Sequence, residues 1–135
     1  MPAWRSTMSA GMGFSISTRT IGDAMIVDCG GRIIFGEESN RLRETVYPLI
    51  HDYKWITVNF ANVSYLDSGG LGTLVSLYTS ARNRGGRINL AALNNRVMNL
   101  LNLTKLATVF DIFNNVDEAV RAHERAQPHA GRGQD

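Results

Sequence analysis

"YLDSGGLG", residues 65–72, lies where a strand-like run gives way to a helical pattern, and its reading decides the fold. Upstream, "WITVNF" (55–60) is β-branched and aromatic, as a strand requires, and leads through "ANVSYL" into the motif. Downstream, Leu71, Leu74, Val75, Tyr78 and Ala81 share one helical face, Thr73, Ser76, Thr79 and Ser80 fall largely on the other, and Gly85-Gly86 supplies a left-handed stop. Glycine opposes a helix by about 0.8–1.0 kcal/mol relative to alanine, so Gly69, Gly70 and Gly72 in or near a first turn need a reason. Ser68 reads as the N-cap, accepting from the N–H of Gly70 or Leu71, a role that contributes about 1 kcal/mol. The glycines suggest more than a cap. They strip side chains from around the serine and leave an accessible hydroxyl that another molecule can approach.

Near the start of the chain, "FSISTRTIG" and "AMIVDCGG" flank Gly22-Asp23 and read as a hairpin. From Glu37 to about His51, Leu42, Val46, Leu49 and Ile50 recur at helical spacing, with a kink or early fraying expected at Pro48. "RINLAAL" is a strand, residues 95–103 a helix carrying Val97, Met98, Leu100 and Leu101, and "ATVFDIF" contains a short strand. The last helix, about 115–124, starts at Asn115 with Glu118 three residues on, a capping pattern. A hairpin followed by alternating strands and helices predicts an α/β fold: a mixed sheet with an N-terminal hairpin, parallel neighbours joined by right-handed crossovers, and about four helices packed against it.

At 135 residues and 44% hydrophobic composition the chain is the size of one domain. Its net charge is only +2 and the basic residues spread from Arg5 to Arg132, which argues against direct nucleic-acid binding. Cys29 is the only cysteine, so there is no intrachain disulfide and no paired-cysteine metal site. No signal peptide or membrane-spanning run is visible, and a reducing cytoplasm is the expected setting. Residues 1–13 and 125–135 read as flexible segments around a domain of residues 14–124.

Residues 58–120, "VNFANVSYLDSGGLGTLVSLYTSARNRGGRINLAALNNRVMNLLNLTKLATVFDIFNNVDEAV", resemble the core of a STAS domain, in particular the bacterial anti-sigma factor antagonists. The shared features are a strand ending in Asn59, the Asp-Ser-Gly-Gly-Leu-Gly turn, a helix closing in Gly-Gly, and a Val-Xaa-Xaa-Leu-Leu helix followed by Leu-Thr-Lys-Leu. The resemblance implies that Ser68 is phosphorylated by a partner kinase that is itself an anti-sigma factor and brings its own ATP. Unphosphorylated, such a protein binds the kinase and frees the sigma factor; phosphorylated, it lets go. Asp67 matches the acidic residue before the serine, and Gly69, Gly70, Leu71 and Gly72 match the turn that presents it. Asp67 would hold the turn through backbone hydrogen bonds and add to charge repulsion after modification. No cofactor or metal is implied, and a homodimer is compatible. Two departures stand out. "GRIIFGEES" places Ile34 where relatives often carry an aspartate, with Glu37 the candidate replacement, and Gly69 stands where many have a second serine.

Other chemistry fits less well. Ser68 has no Gly-Xaa-Ser-Xaa-Gly elbow, and none of His51, His123 and His129 is placed in sequence as its base. The glycines match neither a P-loop nor a dinucleotide fingerprint. Arg82, Arg84 and Arg87 read as a solvated helix end, His123 needs no special role, and Cys29 reads as a buried small hydrophobe. The alternative to a phosphorylation switch is a non-switching STAS scaffold in a larger signalling assembly or a transport-associated complex.

Overall fold

The computed structural model describes residues 13–126. The flanking segments expected at 1–13 and 125–135 fall almost wholly outside these residues. Strands β1 (Phe14–Ile21) and β2 (Ala24–Ile33) form the expected hairpin around Gly22-Asp23, with Ile21 opposite Ala24 and Phe14 opposite Gly31. Helix α1 (Glu37–Asp52), strand β3 (Trp55–Leu66), helix α2 (Ser68–Asn83), strand β4 (Arg87–Ala91), helix α3 (Asn95–Leu103), strand β5 (Ile112–Phe113) and helix α4 (Val116–Ala126) follow. The sheet order is β1-β2-β3-β4-β5, antiparallel at the hairpin and parallel thereafter, so the expected mixed sheet with four helices is the one observed.

Both faces of the sheet are covered. In β2, Met25, Val27 and Cys29 join a large core with Leu42 and Val46 of α1, Leu71, Leu74 and Leu77 of α2, and Val97 and Leu101 of α3. The alternate residues Ala24 and Ile26 join Trp55 and Val120 of α4 in a smaller cluster on the other side. That alternation follows from the two-residue period of a strand. Cys29 is buried as expected, and its burial, helped by the Asp28 charge, pushes the thiol pKa up to about 12.

Three details differ from expectation. Of the kink or early fraying expected at Pro48, fraying does not occur: helix α1 runs on to Asp52, and the Tyr53 N–H still reaches the Leu49 carbonyl at 2.9 Å. Strand β3 does not stop at Phe60. It gains two bulges against β2, between the Asp28 and Gly30 pairings and between those of Gly31 and Arg32, and runs on to Leu66. Each bulge inserts one residue, so the buried positions after Phe60 fall at Val63 and Leu66, three apart instead of two. In "ATVFDIF" only Ile112–Phe113 is strand, preceded by a single 3₁₀ turn at Leu106–Thr108.

The helix ends near the motif are built as their residues dictate. Helix α2 closes in a Schellman arrangement: Gly86 N–H reaches Ala81 O at 2.8 Å, Gly85 N–H reaches Arg82 O at 3.0 Å, and Gly85 takes the left-handed φ of 83°. Before α1, Gly36 adopts φ 115°, a conformation L side chains rarely take, and its N–H donates to Ser39 Oγ at 3.1 Å. This fixes the short β2–α1 loop, Ile34-Phe35-Gly36, beside the start of α2.

Candidate functional site

Asp67, not Ser68, caps helix α2. Its backbone is extended, its Oδ1 accepts from the Gly70 N–H at 2.8 Å, and its carbonyl accepts from the Leu71 N–H at 2.9 Å. Both residues are good cap formers, and the chain's exit from β3 decides between them: Asp67 is still extended while Ser68 is already the first helical residue. Ser68 is exposed, and its hydroxyl is engaged by no group among the described residues. The cap role expected of it therefore passes to its neighbour, and the hydroxyl is left available.

The Asp67 carboxylate does a second job. The Phe35 N–H donates to its two oxygens at 3.1 Å each, while the Asp67 N–H reaches the Ile33 carbonyl at 3.3 Å. The expectation that Asp67 accepts backbone hydrogen bonds to hold the turn is thus met from two sides, one within α2 and one across from the β2–α1 loop. Glu37 is the exposed first residue of α1, and no hydrogen bond or ion pair joins it to the turn.

The glycines divide by cause. A Cβ at Gly70 would collide with the Ile33 carbonyl oxygen and stand 2.9 Å from Ile33 Cγ2 and Leu66 Cδ1. A Cβ at Gly69 would run into the Phe35 Cβ and stand 2.9 Å from its Cδ1 and 3.0 Å from its Cα. At Gly72 a Cβ would meet nothing within 4 Å. Gly72 alone of the three has no packing that requires glycine, and no contact ties its missing side chain to Ser68. Gly69 and Gly70 are required by close packing of the β2–α1 loop and the end of β2 against α2. Leu71, the fourth residue of the turn, points the other way and is 4% exposed in the core.

Phe35 is the residue the motif did not reveal. It is 79% exposed, although its backbone is tied to Asp67 and its Cβ lies against Gly69. Its signal in the sequence was the unusual "IIFGE" stretch itself, where attention falls on the missing aspartate and not on the aromatic that follows. Beyond the loop, Arg43 of α1 donates to Thr73 Oγ1 at 3.2 Å, and Thr73 Oγ1 donates to the Gly69 carbonyl at 3.3 Å, bracing the first turn of α2 against α1.

Two of the histidines and the Asp28 carboxylate are engaged elsewhere. The His123 ring stacks on Trp55 at 4.8 Å with its Nε2 2.8 Å from Asp23, and His51 packs edge-on to Tyr47 at 5.5 Å. His129 lies outside the described residues. On the α4 side of the sheet, Arg19 grips Asp28 at 2.6 Å and Asn59 Nδ2 donates to it at 2.8 Å. Burial alone would raise the Asp28 pKa, but hydrogen bonds from Arg19 and Asn59 and the Arg19 charge outweigh it and hold the carboxyl below its ordinary value. Arg19 is raised, chiefly by the same hydrogen bond, against the opposing effect of burial. No group of three or more His, Cys, Asp or Glu is placed to hold a metal among the described residues. No helix there is long and apolar enough to cross a membrane.

The sequence profile of the STAS domain matches residues 15–119. An anti-sigma-B factor antagonist of Bacillus subtilis is 34% identical over 71 residues, 53% of this chain; the match spans 65% of that relative's length. Among solved structures, an anti-sigma factor antagonist from Mycobacterium paratuberculosis superposes with a TM-score of 0.71 at 19% identity, covering 81% of this chain and 92% of that one. The anti-sigma factor antagonist SpoIIAA in its unphosphorylated form gives 0.71 at 16% identity over 84% and 99%. The phosphorylated form of SpoIIAA, from Bacillus, gives 0.65 at 15% over 80% and 98%. The fold also occurs in the murine anion transporter Slc26a9, with a TM-score of 0.68 at 14% identity over 91% of this chain and 24% of that one.

Proposed function

The chain belongs to the STAS domain family, and on that premise we propose that it acts as an anti-sigma factor antagonist switched by phosphorylation of Ser68. The observation that carries this reading is the exposed, unengaged Ser68 hydroxyl in the first turn of α2, beside an Asp67 that caps the helix in its place. In the unmodified state the protein binds an anti-sigma factor serine kinase and frees the sigma factor. Ser68 Oγ then attacks the γ-phosphorus of ATP held by the kinase. The new O–P bond replaces the bond to ADP, and the hydroxyl proton passes to a base on the kinase. The product carries about −1.5 to −2 additional charges beside Asp67 and leaves the complex. The protein is substrate and ligand in this scheme and catalyses nothing. It works in the cytoplasm as a domain of residues 14–124.

The likeness of SpoIIAA, solved with and without phosphate, supports the idea that this fold accommodates the modification. The occurrence of the fold in an anion transporter supports the alternative of a non-switching scaffold, and modification of Ser68 would tell the two apart. The test is to incubate the protein with ATP and each candidate anti-sigma kinase encoded near it and record the intact mass. The expected result is a gain of one phosphate that is absent from Ser68→Ala. Ser68→Asp should weaken kinase binding without unfolding the domain, since an acidic residue suits the first turn of a helix. A kinase that binds the wild type yet never modifies it would leave the scaffold reading.

A further inference from the structure

We propose that Phe35 is the anchor by which the partner kinase recognises this protein, inserting into an apolar recess beside the kinase's phosphate-donating site. The inference rests on the proposed function, because it takes Ser68 as the phosphoacceptor. Phe35 Cα stands 3.0 Å from the position of a Cβ on Gly69. One Cα–Cα step further is Ser68, so Phe35 Cα lies within about 8 Å of Ser68 Cα. A specific protein interface covers about 800 Å² per partner, a patch roughly 16 Å in radius. An enzyme whose interface is centred on Ser68 therefore covers Phe35 as well.

What it covers is prepared for binding. A side chain 79% exposed would normally be mobile. The base of Phe35 is nonetheless fixed: its N–H donates to both oxygens of Asp67, the following Gly36 N–H donates to Ser39, and its Cβ rests against Gly69. An aromatic held on a rigid backbone loses little freedom when it docks, which is the property of an interface hot spot. Asp67 and Gly69 position the hydroxyl and the ring together, so one rigid unit presents the reacting group and the recognition group to the same partner. A phosphate added to Ser68 then places a strongly hydrated dianion at the edge of the recess that receives the ring.

The experiment measures phosphoryl transfer from ATP to the full chain by the kinase that the mass assay identifies, for wild type, Phe35→Ala, Phe35→Leu and Leu103→Ala. Phe35→Ala should raise KM for the protein substrate at least about tenfold and leave kcat within about twofold. Phe35→Leu should recover most of the loss, Leu103→Ala should match wild type, and all four should unfold at similar denaturant concentrations. If the wild type accepts phosphate while Phe35→Ala keeps a wild-type KM, the anchor is refuted and the switch stands. If Phe35→Ala loses kcat and stability together, the residue merely holds the turn and the anchor is again refuted. If no kinase modifies the wild type, the reading of Ser68 and the anchor fall together.

Discussion

The three glycines of the turn make opposite predictions for one substitution, which tests the packing argument directly. Gly72 sits inside α2 with open space around it, so Gly72→Ala should gain the helix propensity difference and stabilise the fold by about 1 kcal/mol. Gly70→Ala gains a similar amount but drives its methyl into the Ile33 carbonyl, Ile33 Cγ2 and Leu66 Cδ1. The carbonyl belongs to a buried strand end and accepts the Asp67 N–H, so it cannot yield cheaply. Overpacking costs about 1–3 kcal/mol; at the upper end this leaves Gly70→Ala destabilised by roughly 2 kcal/mol net. Gly69→Ala drives its methyl into the Phe35 Cβ, which turning the ring does not move, but Phe35 is exposed and its short loop yields more readily than the buried Ile33 carbonyl, so the cost should lie between, near 1 kcal/mol destabilised by the same estimate. Urea unfolding followed by circular dichroism measures this, and with a slope of about 1–3 kcal/mol/M each 1 kcal/mol moves the midpoint by roughly 0.3–1 M. The expected order is Gly72→Ala, wild type, Gly69→Ala, Gly70→Ala. A Gly70→Ala protein as stable as wild type, or a Gly72→Ala protein less stable, would refute the assignment of these glycines.

Asp67→Ala removes the cap and the acceptor of the Phe35 N–H together and should cost about 2 kcal/mol by the same measurement; Asp67→Asn, which keeps an Oδ1 for Gly70, should cost less, and equal losses would sink the two-sided role. Asp28 titrates below its ordinary value in the folded protein, so the unfolded chain takes up protons first as the pH falls. Its contribution is present above the ordinary carboxylate pKa and disappears as the pH falls through the folded one. Wild type should therefore exceed Asp28→Asn in stability at neutral pH by a margin that shrinks in the acid range, and a margin independent of pH would contradict the Arg19–Asp28–Asn59 linkage.

Much of the architecture was legible because it rests on local periodicity. The apolar stripe of α2, the Gly85-Gly86 stop and the Gly22-Asp23 hairpin each encode their structure within a few residues. What escaped depends on register. The far half of β3 was hidden because two bulges change the spacing of its buried residues from two to three, a pattern that resembles neither a strand nor a helix. Sequence places the cap one residue late because aspartate and serine are near equals as caps, and only the backbone leaving β3 chooses between them. Phe35 was hidden for a third reason: its exposure and its contact with Gly69 arise from residues more than thirty positions apart, brought together by the parallel pairing of β2 and β3.

These corrections change how the proposed switch would work. With Asp67 satisfying Gly70 by side chain and Leu71 by carbonyl, the N–H groups of Ser68 and Gly69 are left without acceptors inside the helix. A phosphate on Ser68 is attracted to that helix end by about 0.3–1 kcal/mol and repelled by the neighbouring Asp67 carboxylate, so the domain itself should barely respond. The effect has to fall on the partner. Burying a phenylalanine ring is worth about 1.5–3 kcal/mol, or roughly a factor of ten to somewhat over a hundred in affinity. A dianion beside Phe35 puts that whole contribution at risk, because the ring cannot enter an apolar recess without desolvating the phosphate next to it. One phosphate at the edge of one anchor is therefore enough for release, and the fold need not change shape to deliver it.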